Sequence, residues 1–228
     1  MFKPYMNVTD EYGKIICRVI NLLGDIPPIN DRDKAIRDLA ADVFDALYES
    51  RNLIISGKCI VSFPLARRAY ESLSLMVVFA LDNKIAKKWM SGKQINNHTV
   101  RQLLSKHPMG EKEEMTRDFY KFFSSASHPN RDLVPYRYLG EGNKFVLGSI
   151  GQPDLLMTTD FCKKHLGLWF WFVAFFMTHY QKQIHHFDDS CNDLYMKTAN
   201  EAKKVNNWFI ESFNKLLEQY KENLTSGS

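Results

Sequence analysis

The stretch Cys59-Ile60-Val61-Ser62-Phe63-Pro64-Leu65-Ala66-Arg67-Arg68-Ala69-Tyr70-Glu71-Ser72-Leu73-Ser74-Leu75-Met76-Val77-Val78-Phe79-Ala80-Leu81 decides the fold class. It is apolar on most sides of a helix rather than on one stripe, so it belongs in the middle of a helical body. Pro64 is expected in its first turn, where a missing N–H costs little. Asp82-Asn83 punctuates the run, and a short helix should follow through Trp89.

Helical spacing continues on both sides. Tyr12, Ile16, Val19, Ile20 and Leu23 define a helix over 9–23. Asn30 or Asp31 is placed to cap a second, with Ile36, Leu39, Val43, Phe44 and Leu47 as its core face and Gly57 at its end. Residues 96–106 suit a short helix closed by His107-Pro108. Glu111, Glu113 and Glu114 favour a helix start, with Phe119, Phe122, Phe123 and Ala126 inward and Pro129 as the stop. An aromatic-rich helix is expected over 161–184, and a final one from Ser190. Residues 131–152 lose the helical period, and their alternating apolar residues around Gly140-Glu141-Gly142-Asn143 predict a β-hairpin or ordered-loop insertion. The expected architecture is all-α: one domain over 1–228, six to eight helices, a hairpin insertion, and a disordered tail from 224.

Composition narrows the functional classes. The chain has 228 residues, 45% of them hydrophobic, and a net charge of +4. This mild basicity admits RNA or an acidic protein as partner, but Lys and Arg occur as scattered doublets rather than one cluster. The four cysteines, Cys17, Cys59, Cys162 and Cys191, form no CxxC pattern, which fits reduced thiols and a cytoplasmic setting. The run 166–177 is shorter than the roughly 20 apolar residues a membrane span needs, so no membrane partner is expected. His185-His186-Phe187-Asp188-Asp189 lacks the spacing of a metal site, and no Gly-rich phosphate loop occurs; neither metal nor cofactor is expected.

Two constellations remain. Arg67 and Glu71 are four apart and share a helix face. They read either as a structural ion pair in a partly buried network or as half of a site. Tyr120, Ser124 and His128 recur at intervals of four, with His128 before Pro129. His128 reads either as a helix cap or as an acid–base group facing the Arg67/Glu71 helix.

The pair Arg67-x-x-x-Glu71 with Tyr120-x-x-x-Ser124-x-x-x-His128-Pro129 resembles a bacterial helical domain family of unknown function that carries an R-x-x-x-E helix and a Y-x-x-L-S-x-x-x-H-P helix. Phe123 stands where that family has Leu, and the likeness spans 39–130. Such domains are similar to the HEPN superfamily, with its ribonucleases of toxin–antitoxin and phage-defence systems and its inactive members. The resemblance implies a metal-independent endoribonuclease in which His128 handles protons, Arg67 clamps phosphate and Glu71 orients Arg67. Arg101 and His107, five residues between them, fit the Arg–His spacing of HEPN ribonucleases and form a second candidate pair. The other class of function is a non-catalytic homodimerisation or partner-binding module built on the aromatic helix and the hairpin.

Overall fold

The computed structural model describes residues 2–106, 113–125, 138–139, 144–145 and 155–226. Nine helices occur among these residues: α1 (Lys3–Gly24), α2 (Asp31–Ile55), α3 (Cys59–Leu81), α4 (Asn83–Met90), α5 (Asn97–Leu104), α6 (Glu113–Ser125), α7 (Leu155–His179), α8 (Gln181–Phe187) and α9 (Ser190–Ser226). The all-α class holds, with more helices than the six to eight expected. The difference arises in the aromatic stretch 161–184, expected as one helix. The chain breaks at Tyr180, giving α7 and α8, and α7 begins earlier, at Leu155.

Local chemistry sets most boundaries. Asn30 caps α2 by accepting from the Asp33 N–H, and Gly57 follows the helix at φ 76°, a left-handed conformation that suits glycine. Asp82 caps α4 and Asn96 caps α5 in the same way, accepting from Lys84 and His98. Pro64 departs from expectation. It lies inside α3 because the helix already starts at Cys59, leaving Pro64 past the first turn, where its ring removes one ladder bond.

The core runs through α1, α2, α3 and α7. Tyr5, Tyr12, Ile16, Leu47, Phe63, Met76, Phe79, Trp169, Phe172 and Phe176 are all buried in one cluster. Phe63 anchors α3 to its neighbours, its ring centroid 5.2 Å from Phe122 of α6 and 4.8 Å from Phe161 of α7. Tyr70, two turns further along the same face of α3, stacks on Phe119, so α6 is held at two levels. A smaller cluster of Val78, Val100 and Leu104 seats α5 on α3.

One expectation is corrected. Within the predicted insertion the described strands are only Tyr138–Leu139 (β1) and Lys144–Phe145 (β2), paired antiparallel. A ladder of two residues per strand falls short of the hairpin expected, since strands usually run to three residues or more. Helix α9 runs to Ser226; Leu, Glu, Gln and Lys in 216–223 all favour helix.

Candidate functional site

Helices α3, α5 and α6 converge on the phenol ring of Tyr120. Arg67 and Glu71, one turn apart on α3, pair at 2.9 Å through Arg67 Nε and Glu71 Oε1. A second nitrogen of Arg67 donates to the Tyr120 hydroxyl at 2.8 Å, and the guanidinium carbon lies 5.1 Å from the ring centroid. From α5, Asn97 donates its amide N–H to Glu71 Oε1 at 3.0 Å. Arg101, one turn further along α5, sits over the same ring at 4.8 Å. The α3 and α6 helices therefore meet where Arg67 reaches Tyr120, a residue the sequence singles out on each.

The two arginines are held differently. Arg67 is fixed by a carboxylate and a phenol, and its side chain is 21% exposed. Arg101 is half-buried, and among the described residues it makes no hydrogen bond or ion pair; its guanidinium lies over the Tyr120 ring. Its five N–H donors are thus available to a ligand. The Tyr120 oxygen accepts from Arg67, which leaves its own O–H free to donate. Two cations against the single Glu71 carboxylate give the cluster a formal surplus of one positive charge. Guanidinium donors beside an aromatic face suit a phosphate with an attached planar group.

Arg67, Glu71 and Arg101 are therefore brought together, although the sequence offered Arg101 as part of a separate pair. His107 and His128 lie outside the described residues. Ser124, on the expected stripe with Tyr120, has a buried hydroxyl without a hydrogen-bond partner among the described residues. Asn97 was missed: it lies beside the capping Asn96 and carried no signal beyond its spacing of four from Arg101.

Two further polar networks serve the fold. His165 of α7 is fully buried, with Nδ1 at 2.7 Å from the Tyr5 hydroxyl and Nε2 at 2.7 Å from Ser50 Oγ. Ser50 also donates to the Leu47 carbonyl at 3.1 Å. Bond bookkeeping then sets the tautomer: Nε2 carries the proton and donates to Ser50, and Nδ1 accepts from Tyr5. Burial drives the His165 pKa down to about 3, the Leu47 carbonyl opposing and Arg51 reinforcing the shift. The second network centres on Asp33. It accepts from the Tyr180 hydroxyl at 2.6 Å, the Ile29 N–H at 2.9 Å and Arg37, which also donates to the carbonyls of Leu23 and Ile26. Every charge there is partnered, as a buried ion pair requires. His185, from the sequence's His/Asp run, pairs with Asp189 at 2.8 Å. Among the described residues no three His, Cys, Asp or Glu side chains converge as metal ligands.

The chain matches no family model, no curated protein and no solved structure. Among the described residues no helix is long and apolar enough to cross a membrane.

Proposed function

We propose that the chain is a HEPN-like helical protein of bacterial or phage-linked defence that binds RNA at the Tyr120 cluster and cleaves it without a metal. The observation that carries this reading is the half-buried Arg101 guanidinium, ordered by an aromatic ring and lacking any acidic partner among the described residues. A cation kept in that state is suited to an incoming anion. Arg101 is then the phosphate clamp, while Arg67, tied to Glu71, holds Tyr120 in place. This moves to Arg101 the clamp role that the resemblance implied for Arg67.

His107 and His128 each follow a helix of the cluster by three residues, after Leu104 and Ser125. His128 is the first choice for the proton transfers. A neutral imidazole takes the proton from a ribose 2′-OH, the 2′-oxygen bonds to phosphorus, and the P–O5′ bond breaks. The products are a 2′,3′-cyclic phosphate and a 5′-oxygen that is protonated as it leaves. The guanidinium offsets charge that builds on the phosphoryl oxygens. The test is incubation of purified protein with mixed RNA in EDTA. Cleavage by wild type that is lost in His128→Ala and Arg101→Ala supports the reading. Intact RNA, with wild type and His128→Ala behaving alike, ends it.

One observation favours a second reading, a non-catalytic homodimer or partner-binding module. Phe170 of α7 stacks on Tyr195 of α9 yet remains 44% exposed, so a large ring faces outward from the packed helix pair. Light scattering distinguishes the two: a monomer that captures no partner counts against this alternative.

A further inference from the structure

We infer that Asn97 reads a ribose hydroxyl next to the phosphate held by Arg101, so that the site selects RNA over DNA. The inference rests on the nucleic-acid reading of the Tyr120 cluster and adds to it a residue that chooses the sugar.

Asn97 and Arg101 are four residues apart on α5 and share a face. Their contacts identify that face as the one turned to the cluster, Asn97 touching Glu71 and Arg101 covering Tyr120. The bond to Glu71 also settles how the Asn97 amide is turned. A carboxylate only accepts, so the group facing it is the NH2, and the carbonyl oxygen Oδ1 faces away. Among the described residues that oxygen has no donor, and the side chain is only half-buried.

The cluster thus offers a ligand two kinds of contact. Arg101 and the Tyr120 O–H donate, which suits an anion. Asn97 Oδ1 accepts, which suits a hydroxyl or an amine. Because Glu71 already orients the amide, the acceptor is preorganised and little is lost in ordering it on binding. A phosphodiester whose adjacent sugar carries a 2′-OH satisfies both at once. DNA supplies the anion and lacks the hydroxyl donor. A polar group arranged to receive a hydroxyl discriminates against the analogue without one, since it is left unpaired when that analogue binds.

The test uses the full chain and three fluorescein-labelled single strands of one mixed sequence: RNA, DNA and 2′-O-methyl RNA. The last keeps a ribose-like sugar but cannot donate from the 2′ position. Anisotropy in EDTA, at low salt and with the His128→Ala protein to preserve the RNA, gives the three Kd values. RNA should bind about tenfold tighter than either analogue, the worth of one good hydrogen bond. In Asn97→Ala on the same background, the three should fall within about twofold of one another, with DNA affinity unchanged. Equal binding of RNA and 2′-O-methyl RNA by the protein that retains Asn97 overturns the inference without any appeal to the variant. So does an RNA preference that survives in Asn97→Ala, or one that follows base composition, which would assign Oδ1 to a base amine. Failure to bind any of the three overturns both this inference and the nucleic-acid reading beneath it.

Discussion

Tyr180 donates its phenol proton to Asp33 at 2.6 Å, joining the end of α7 to the start of α2 across 147 residues of chain. Burial alone would raise the Asp33 carboxyl. The Tyr180 hydroxyl, the Ile29 N–H and the Arg37 guanidinium outweigh it, and the net effect lowers the pKa. The sign follows from linkage: a carboxyl depressed in the folded state adds stability above its unfolded pKa, about 3.9, and that stability is lost on acidification through the folded value. Tyr180→Phe should cost about 1–3 kcal/mol, because it leaves a buried carboxylate oxygen short of one donor. Asp33→Asn should cost about 3–5 kcal/mol by stranding Arg37, and its loss relative to wild type should shrink below pH 4. Urea midpoints at pH 7 and pH 3 measure both effects, and a constant Asp33→Asn deficit across that range would contradict the assignment.

His165 gives a second, separate acid response. Its folded pKa of about 3 lies below the unfolded value of about 6.5, so the unfolded chain binds the extra proton between those limits. Stability is complete above about pH 6.5 and declines toward pH 3, with a slope approaching about 1.4 kcal/mol per pH unit for one proton. His165→Gln should lower stability at pH 7 and flatten the dependence between pH 6 and pH 4. An unchanged slope in that variant would show that other groups govern this window.

The two arginines at Tyr120 should separate in a stability measurement. Arg67→Ala removes the bond to Tyr120 and leaves Glu71 with Asn97 alone, and a loss of about 1–3 kcal/mol is expected. Arg101→Ala removes only a partly exposed cation–π contact, for which about 0.5–1 kcal/mol is the expected loss. Their order in RNA affinity should be the reverse, with Arg101→Ala the more damaging. Melting curves and anisotropy on the same preparations decide it.

Gly167 lies within α7, and a Cβ built there meets nothing within 4 Å. Gly13 in α1 is nearly as open, its nearest neighbour being Phe44 Cε2 at 3.8 Å. Neither helical position calls for glycine. Gly167→Ala should therefore raise stability by about 0.5–1 kcal/mol through helix propensity alone. A fall in the thermal midpoint would reveal a role for the bare backbone at that position.

What the sequence disclosed follows the range of the interactions. Arg67 with Glu71 is legible because a helix turns the chain back on itself every three to four residues, and the same rule exposed Tyr120. The caps at Asn30, Asp82 and Asn96 are short-range in the same sense. The His165 network is not: Tyr5 lies 160 residues away and Ser50 115, and no periodicity links them. Arg101 illustrates the same limit. Its spacing to His107 suggested a pair, whereas its contact with Tyr120 emerges only once α5 and α6 are packed on α3. Pro64 departs from the first turn by counting alone: with the helix starting at Cys59, as the sequence indicates, it is the sixth residue.

The seating of α5 has a mechanical implication. This eight-residue helix is held to α3 by Val100 and Leu104, and Asn97 and Arg101 flank them on the same side of the helix. A helix advances 100° per residue, so a slip of one position in that docking would swing both polar side chains away from the phenol. In the proposed reading, RNA affinity and the anchoring of this short helix are thus two readings of a single equilibrium. Any binder, crowding agent or proteolytic cut that shifts how firmly α5 rests on α3 would tune the cluster without touching it.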